Sequence, residues 1–293
     1  MQKKKVNILI VGCGKMGSSH IKSFLDKSCC NLLLYDNDKT KLKNYESLKN
    51  IEILKNIKLK KRIKLCILST PSKTRFNLFK KLYRQKKIEI FLLEKFMFLK
   101  KKNYDYVKQN YKINKIFNNV WGKYLFKSSQ NYNLKFYDKV EIKIQKGHML
   151  TNLIHFMNFF SYYQKFIKLN KFELQPFNKA QYDEYSGKIY LEYSLQKVKI
   201  QTSKIKNIFE ISFSKSRNKK KFKIILKKNL KLYFFLNNNV SNVLEFPLAS
   251  FFSYKFFIKN NLVPNFREIL NDNLNVISIT KRFNNKKKII NIR

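Results

Sequence analysis

Short apolar runs separated by amphipathic stretches fill roughly the first 118 residues of the chain. The runs are too short for helices and predict buried strands, whereas the spacing of Met16, Ile21 and Phe24 predicts a helix. The pattern as a whole predicts strands over 6–11, 32–35, 51–54, 63–68 and 88–93, and helices over 15–27, 39–48 and 72–86. Ser72 is expected to cap the last of these helices. Buried strands alternating with helices indicate a parallel, doubly wound sheet.

The remainder of the chain has the two-residue period of half-buried strands. Val140, Ile142 and Ile144 alternate with polar residues, which is typical of a strand with one covered face. Similar alternation recurs over 189–193, 198–200, 209–213 and 222–224. An aromatic-rich helix is predicted over 149–169 and a late helix over 261–281. We therefore expect two domains, residues 1–118 and 119–293, joined at Asn118 and Asn119, the second being α+β on a largely antiparallel sheet.

The strong positive charge adds little to this interpretation. The formal net charge is +45, but 56 of the 63 basic residues are lysine and only seven are arginine. Phosphate and base recognition tends to use the arginine fork, and these lysines are spread along the whole chain together with abundant Asn, Ile and Phe, as AT-rich codons produce. We expect no specific nucleic-acid partner, although the charge favours anionic substrates such as those that carry phosphates.

The cysteines indicate neither a metal site nor a disulfide framework. Cys13, Cys29, Cys30 and Cys66 include no C-x-x-C pair, so no metal is expected, and reduced buried thiols favour a cytoplasmic protein. No apolar run reaches the roughly 18 residues of a membrane span. The basic start leads into a short apolar run and a glycine motif, which favours a first strand over a signal peptide. No membrane association is expected.

A glycine motif follows the first predicted strand. The motif has the form G-x-G-x-x-G, and its residues, the predicted cofactor contacts, are Gly12, Cys13, Gly14, Lys15, Met16 and Gly17. With a strand before it and a helix after it, the motif predicts a Rossmann dinucleotide site, in which the pyrophosphate meets the helix N-terminus. FAD, or a nucleotide without a redox role, is the alternative ligand. The fold class expected is α/β, an N-terminal Rossmann sheet followed by the α+β domain.

Asp36 stands at the carboxyl end of the second predicted strand, 19 residues beyond Gly17. A carboxylate at this position accepts hydrogen bonds from the ribose hydroxyls and repels a 2′-phosphate. The position of Asp36 therefore favours NAD over NADP.

Further motifs join the glycine loop in resembling the Gfo/Idh/MocA oxidoreductases. Ser69-Thr70-Pro71 follows the strand at 63–68, where that family has A-T-P, and Glu94-Lys95 follows the strand at 88–93, where it has E-K-P. The run from Asn152 to Asn158 resembles the helix that carries the family's catalytic histidine, which is His155 here. This version of the helix resembles the branch linked to bacterial surface-polysaccharide genes.

The resemblance implies a function and a set of site residues. The cofactor would also contact Ser69, Thr70, Pro71, Glu94 and Lys95, and substrate residues would include His148, Asn152, Asn158 and Tyr124. Lys95 and His155 would be the catalytic pair, His155 as general base or acid and Lys95 stabilising an alkoxide. The implied activity is NAD-dependent hydride transfer to or from a secondary alcohol or ketone of a sugar or nucleotide-sugar, by an enzyme that is often a homo-oligomer.

Three departures from the family pattern keep other interpretations open. Phe96 replaces the proline after Lys95, Asn158 replaces an aspartate, and Arg75 replaces a histidine. The main alternative is a catalytically inactive NAD-binding sensor or assembly protein, in which His155 is a buried core residue. A nucleic-acid-binding protein, suggested by the net charge alone, is the third interpretation.

Overall fold

The computed structural model describes residues 5–145, 149–176, 185–216, 218–246 and 262–284. These residues form two compact units. The first comprises the described residues up to Val120 together with 262–277, and the second comprises those from Trp121 to residue 246 together with 278–284. The late segment at 262–277 thus belongs to the first unit, a return of the chain that the hydrophobic pattern does not predict.

The first unit is built on a six-stranded parallel sheet. Its strands are β1 (Val6–Val11), β2 (Cys30–Tyr35), β3 (Ile51–Ile53), β4 (Ile63–Leu68), β5 (Ile88–Leu93) and β6 (Ile116–Asn118). They lie in the order β3-β2-β1-β4-β5-β6, and every pairing is parallel. The predicted doubly wound sheet is confirmed. Its strand order reverses between β1 and β4, and ligands of such sheets bind at the carboxyl ends of strands at this point.

Helices α1 (Lys15–Phe24), α2 (Ser72–Tyr83) and α3 (Lys101–Asn110) follow strands of this sheet. The helix predicted over 39–48 is instead a 3-10 helix at Lys39–Tyr45. Leu42 is its one buried residue, so it lacks the apolar face that holds an α-helix against a sheet. Ser72 is also not a cap: Pro71 occupies the N-cap with an extended backbone, and Ser72 is the first helical residue.

The second unit contains an eight-stranded sheet that confirms the predicted antiparallel architecture. The strands are β7 (Lys139–Gln145), β8 (Phe166–Pro176), β9 (Tyr185–Tyr193), β10 (Lys197–Ser203), β11 (Phe209–Lys215), β12 (Asn218–Leu226), β13 (Lys231–Leu236) and β14 (Asn239–Glu245). Their order is β14-β13-β12-β11-β7-β10-β9-β8. Only β7 and β10 pair in parallel; the other neighbours are antiparallel.

The second unit also contains two helices, α4 (Gly122–Ser128) and α5 (Met149–Ser161). The helix predicted over 149–169 is therefore too long, because residues 166–176 pair with β9 as an edge strand. Burial explains the difference: ten of the 13 residues of α5 are buried, whereas β8 has exposed residues between its half-buried ones. The mostly apolar α5 is followed by an alternating segment, and apolar residues in both segments predict one long helix unless the change of period between them is recognised.

The last helix, α6 (Phe266–Asn284), begins five residues later than predicted. Asn265 Oδ1 accepts hydrogen bonds from the backbone N–H groups of Arg267 and Glu268, at 2.9 and 3.1 Å. Glu268 Oε2 in turn accepts the N–H of Asn265 at 2.8 Å. This reciprocal capping box fixes the start of the helix directly after Pro264.

Candidate functional site

Two glycines of the loop after β1 are required by the way the chain packs on itself. Gly12 has a φ of +91°, and a Cβ there would lie 2.9 Å from the backbone nitrogen of Thr70. A Cβ on Gly17 would lie only 1.8 Å from the carbonyl oxygen of Gly12. The turn and the close approach of α1 to β1 therefore account for both residues.

Gly14 has no such explanation within the protein. Its φ of −67° and ψ of −165° are open to any residue, and a Cβ placed on it would have no atom within 4 Å. The open side of Gly14 lies at the N-terminus of α1, where the first-turn N–H groups lack intrahelical acceptors. Backbone N–H groups and the helix dipole make such a place suited to a phosphate. The residue that neither backbone conformation nor packing requires is thus the one at which a pyrophosphate would approach.

Asp36 is held beside the glycine loop by backbone donors. Its Oδ2 accepts the N–H of Cys13 at 2.7 Å, and its Oδ1 accepts the N–H of Asp38 at 2.9 Å. The Nζ of Lys41 lies 4.0 Å from Oδ1, and the Asp36 side chain is 12% exposed. Because each carboxylate oxygen has a second acceptor position, the fixed carboxylate retains capacity for ribose hydroxyls.

Ser69 and Thr70 bring two unsatisfied hydroxyl groups to the same region. The N–H of Ser69 donates to the carbonyl of Val11 at 2.9 Å, which ties the end of β4 to the end of β1. Ser69 Oγ and Thr70 Oγ1 are buried, and neither has a hydrogen-bond partner in the protein. Leaving a buried hydroxyl without a partner costs about 1–3 kcal/mol, so these atoms fit a polar ligand. Pro71, which follows them, caps α2.

Glu94, at the end of β5, belongs to a buried charge network. Its Oε1 lies 2.6 Å from His20 Nε2 and accepts a hydrogen bond of 2.6 Å from Asn119 Nδ2. Burial alone raises the pKa of Glu94, but these contacts and the charges of His20 and Arg75 outweigh it and lower the pKa to about 2. Glu94 is therefore a buried carboxylate whose contacts lie within the first unit.

The residues after Glu94 form a turn at the carboxyl end of the sheet. Lys95 is half-buried, and Phe96 is fully buried with a φ of +48°. This left-handed conformation is unusual for a bulky residue. The resemblance to the family marks Phe96 as a replacement for proline, but the sequence gives no sign of its left-handed backbone conformation.

The first unit thus brings together most of the predicted cofactor residues. The glycine loop, Asp36, the Ser69-to-Pro71 segment and Glu94-Lys95 follow β1, β2, β4 and β5 in turn. Carboxyl ends of parallel strands share one edge of a sheet. His20 and Arg75 lie outside the predicted set of site residues, yet each is buried against Glu94 or the turn that follows it.

His155 lies in an aromatic cluster of the second unit. It is 3% exposed, and its ring stacks on the Trp121 indole with centroids 4.4 Å apart and an interplanar angle of 14°. Trp121 also stacks on Phe209, at 5.2 Å. The backbone N–H of Trp121 donates to His155 Nδ1 at 3.3 Å, which places the proton of the neutral ring on Nε2.

Asn158 follows His155 on α5 and is fully buried. A Cβ on Gly122 would lie 2.4 Å from the carbonyl oxygen of His155 and 2.8 Å from Asn158 Oδ1. Gly122 therefore allows α4 to approach α5 closely, and the Asn158 side chain faces that crossing.

The other predicted substrate residues lie on different elements of the second unit. The Tyr124 hydroxyl donates to the carbonyl of Glu245 at 2.8 Å, and Asn152 is half-buried on α5. His148 lies outside the described residues. Within the described part of the chain, no group of three His, Cys, Asp or Glu side chains is arranged to hold a metal ion, and none of its helices has the length and apolar character to cross a membrane.

Comparisons with known proteins place this architecture among dehydrogenases of solved structure. No protein-family model and no curated protein sequence matches the chain. The dehydrogenase MviM from Clostridium difficile matches with a TM-score of 0.71 and 12% identity, over 95% of this chain and all of that one. UDP-N-acetylglucosamine 3-dehydrogenase GnnA from Acidithiobacillus ferrooxidans matches with a TM-score of 0.68 and 9% identity, over 95% and 96%.

GenD2 of gentamicin A biosynthesis, solved in complex with NAD, matches with a TM-score of 0.69 and 10% identity, over 99% of this chain and 97% of that one. At these identities the likeness shows a shared fold. This chain therefore has the two-part architecture of such dehydrogenases, a Rossmann-like parallel sheet followed by a largely antiparallel one.

Proposed function

We propose that this chain is an NAD-dependent oxidoreductase of the Gfo/Idh/MocA type. The open side of Gly14 carries the proposal, because no contact within the protein requires glycine there. The buried, unpartnered hydroxyls of Ser69 and Thr70 support it. The loop residues from Gly12 to Gly17 would hold the pyrophosphate at the start of α1. The structural likeness to dehydrogenases, one of them in complex with NAD, is consistent with this role.

The preference for NAD over NADP is proposed to come from Asp36. Its carboxylate is anchored by the N–H groups of Cys13 and Asp38, so it cannot readily swing away from a 2′-phosphate. Lys41, 4.0 Å from Asp36, is also 3.4 Å from Asp38. One positive charge is therefore shared between two carboxylates, and the net negative charge that remains beside Asp36 disfavours a further phosphate.

The proposed substrate is a sugar or nucleotide-sugar with a secondary alcohol or ketone, in surface-polysaccharide synthesis. The structural likeness to an enzyme named for UDP-N-acetylglucosamine supports this class, and the excess of lysine favours a phosphate-bearing molecule. When bound, NAD supplies the hydride acceptor. Lys95 is proposed to stabilise the developing alkoxide, and His155 to take up the hydroxyl proton at Nε2.

One observation favours a second candidate function, an NAD-binding protein without turnover. A base at Nε2 needs its lone pair on that nitrogen, which puts the ring proton on Nδ1. The Trp121 N–H donates to Nδ1 at 3.3 Å, so the base role requires this contact to be given up. If the contact persists in the protein with cofactor bound, His155 is a core residue stacked on Trp121.

Turnover measurements separate the two functions. The protein is incubated with NAD⁺ and a panel of UDP-sugars, free sugars and inositols, and NADH formation is followed at 340 nm. For an enzyme, we expect turnover of at least one nucleotide-sugar, loss of turnover in His155→Asn and Lys95→Met, and NADH affinity retained in His155→Asn. The exposed Lys102→Met is the matched lysine control. NADH binding without turnover on the whole panel would favour the second function, and turnover of free sugars only would exclude the nucleotide part of the proposal.

A further inference from the structure

Arg75 crosses between two loops at the carboxyl edge of the first sheet. It lies in the first turn of α2 and is 2% exposed. Its Nε donates to the carbonyl of Thr70 at 3.1 Å, and Nη2 contacts the same oxygen. Its Nη1 donates to the carbonyls of Glu94 at 2.7 Å, Lys95 at 3.2 Å and Phe96 at 2.6 Å. One guanidinium therefore joins the loop after β4 to the turn after β5.

The guanidinium remains charged in this buried position. Burial lowers the pKa of Arg75 to about 10, and the negative charge of Glu94 opposes the shift. The group is thus a cation at neutral pH. Hydrogen bonds from a charged donor to carbonyl oxygens are stronger than neutral ones, and a buried cation without them is costly. The carbonyl groups of the two loops are consequently held within hydrogen-bonding distance of the Arg75 guanidinium.

The contact with Phe96 links two departures from the family pattern. Phe96 has a φ of +48°, which a proline cannot adopt because its ring fixes φ near about −65°. The Phe96 carbonyl in this conformation accepts the shortest of the three Nη1 hydrogen bonds. An unusual backbone conformation persists only when its surroundings determine it. This hydrogen bond therefore requires both an arginine at 75 and a residue other than proline at 96.

We propose that Arg75 is a positioning residue that sets the backbone of Thr70 and Lys95 for the nicotinamide half of the cofactor. The inference rests on the proposed function, in which these two segments contact the cofactor. Arg75 itself contacts neither substrate nor reacting atoms; it acts through the two loops. Arg75 then compensates for the absence of proline at 96, and the two replacements are not signs of a decayed site.

The test compares two ligands that share the adenosine diphosphate part. NADH and ADP-ribose both use the glycine loop and Asp36, but only NADH carries the nicotinamide. Arg75→Lys keeps the charge beside Glu94 and loses the fork that reaches both loops. We expect its dissociation constant to rise about tenfold for NADH and to change less than about twofold for ADP-ribose. The exposed Arg84→Lys, at the C-cap of the same helix, is the control and should change neither.

Equal losses for both ligands, or no loss for NADH, in a folded Arg75→Lys would overturn the inference. If Arg75→Lys does not fold, Phe96→Pro tests the same contact from the other side. We expect this restoration of the family's proline to weaken NADH and spare ADP-ribose, because the turn must leave its left-handed conformation. Unchanged or tighter NADH binding would overturn the coupling. Wild-type protein that binds neither ligand would contradict the proposed function itself, a result distinct from either.

Discussion

Alanine at Gly14 and at Gly17 should separate a glycine kept for a ligand from one kept for packing. Alanine at 14 meets no atom within 4 Å and has an ordinary φ of −67°. The loss of a favourable N-cap residue costs about 1 kcal/mol, and the smaller entropy of the unfolded chain returns about 0.4–1 kcal/mol. We therefore expect the free energy of unfolding of Gly14→Ala without cofactor to stay within about 1 kcal/mol of wild type.

Alanine at Gly17 should behave in the opposite way. Its Cβ would lie 1.8 Å from the carbonyl oxygen of Gly12, whereas heavy atoms in contact are about 3.5 Å apart. The start of α1 must move away from the end of β1 by well over an ångström. Such overpacking in a close contact costs typically about 1–3 kcal/mol or more. Gly17→Ala should therefore unfold at clearly lower denaturant concentration, even without cofactor.

Urea unfolding and NADH fluorescence titration of the two variants provide the assay. For Gly14→Ala we expect wild-type stability and an NADH affinity at least about tenfold weaker, since the methyl group occupies the approach of the pyrophosphate. A Gly14→Ala protein that is stable and binds NADH like wild type would show that position 14 does not face the pyrophosphate. So would a loss of stability equal to that of Gly17→Ala, because the residue would then serve packing.

Three further predictions concern Asp36, Glu94 and the thiols. Asp36→Asn should lower the NADH preference over NADPH by about tenfold or more in parallel titrations. The pKa of Glu94 is about 2 in the folded protein against an ordinary 4.5. Its ionised form therefore stabilises the fold by up to about 3 kcal/mol above pH 4.5, and this stabilisation is lost as the pH falls towards 2. The difference in free energy of unfolding between wild type and Glu94→Gln, measured in urea, should shrink over that range. Alkylation of the native protein should modify the exposed Cys29 first, because burial raises the pKa of Cys13 and of Cys30 to about 12. Peptide mass mapping measures the rate at each thiol, and alkylation of Cys13 or Cys30 as fast as Cys29 would contradict this prediction.

The geometry of the glycine loop and of Asp36 was predictable because its signals are local. The glycine motif, a strand before it, a helix after it and Asp36 lie within one short stretch of chain. The structure places Asp36 directly on the loop, through the N–H of Cys13. Glycines at 12 and 17 could be assigned to turn and packing from the motif alone.

Other features depend on partners distant in sequence, which periodicity cannot reveal. The carbonyl groups at the turn that accept hydrogen bonds from Arg75 lie 19 to 21 residues further along the chain. The sequence therefore showed only that arginine replaces the family's histidine at this position. The first residues of the edge strand β8, up to residue 169, were predicted as helix because their partners lie far along the chain: Phe166 pairs with Tyr193, 27 residues further on. His155 was identified by resemblance, but its stacking on Trp121 and the hydrogen bond to Nδ1 required coordinates.

The loop around Gly14 is proposed to bind NAD(H). The most direct test is a fluorescence titration of the purified, folded protein with NADH, run beside NADPH under the same conditions. We predict saturable binding of NADH in the micromolar range, with NADPH clearly weaker because of Asp36. A folded protein that binds neither nucleotide would contradict a dinucleotide site here, since the open side of Gly14 and the unpartnered hydroxyls of Ser69 and Thr70 would then lack the ligand proposed for them.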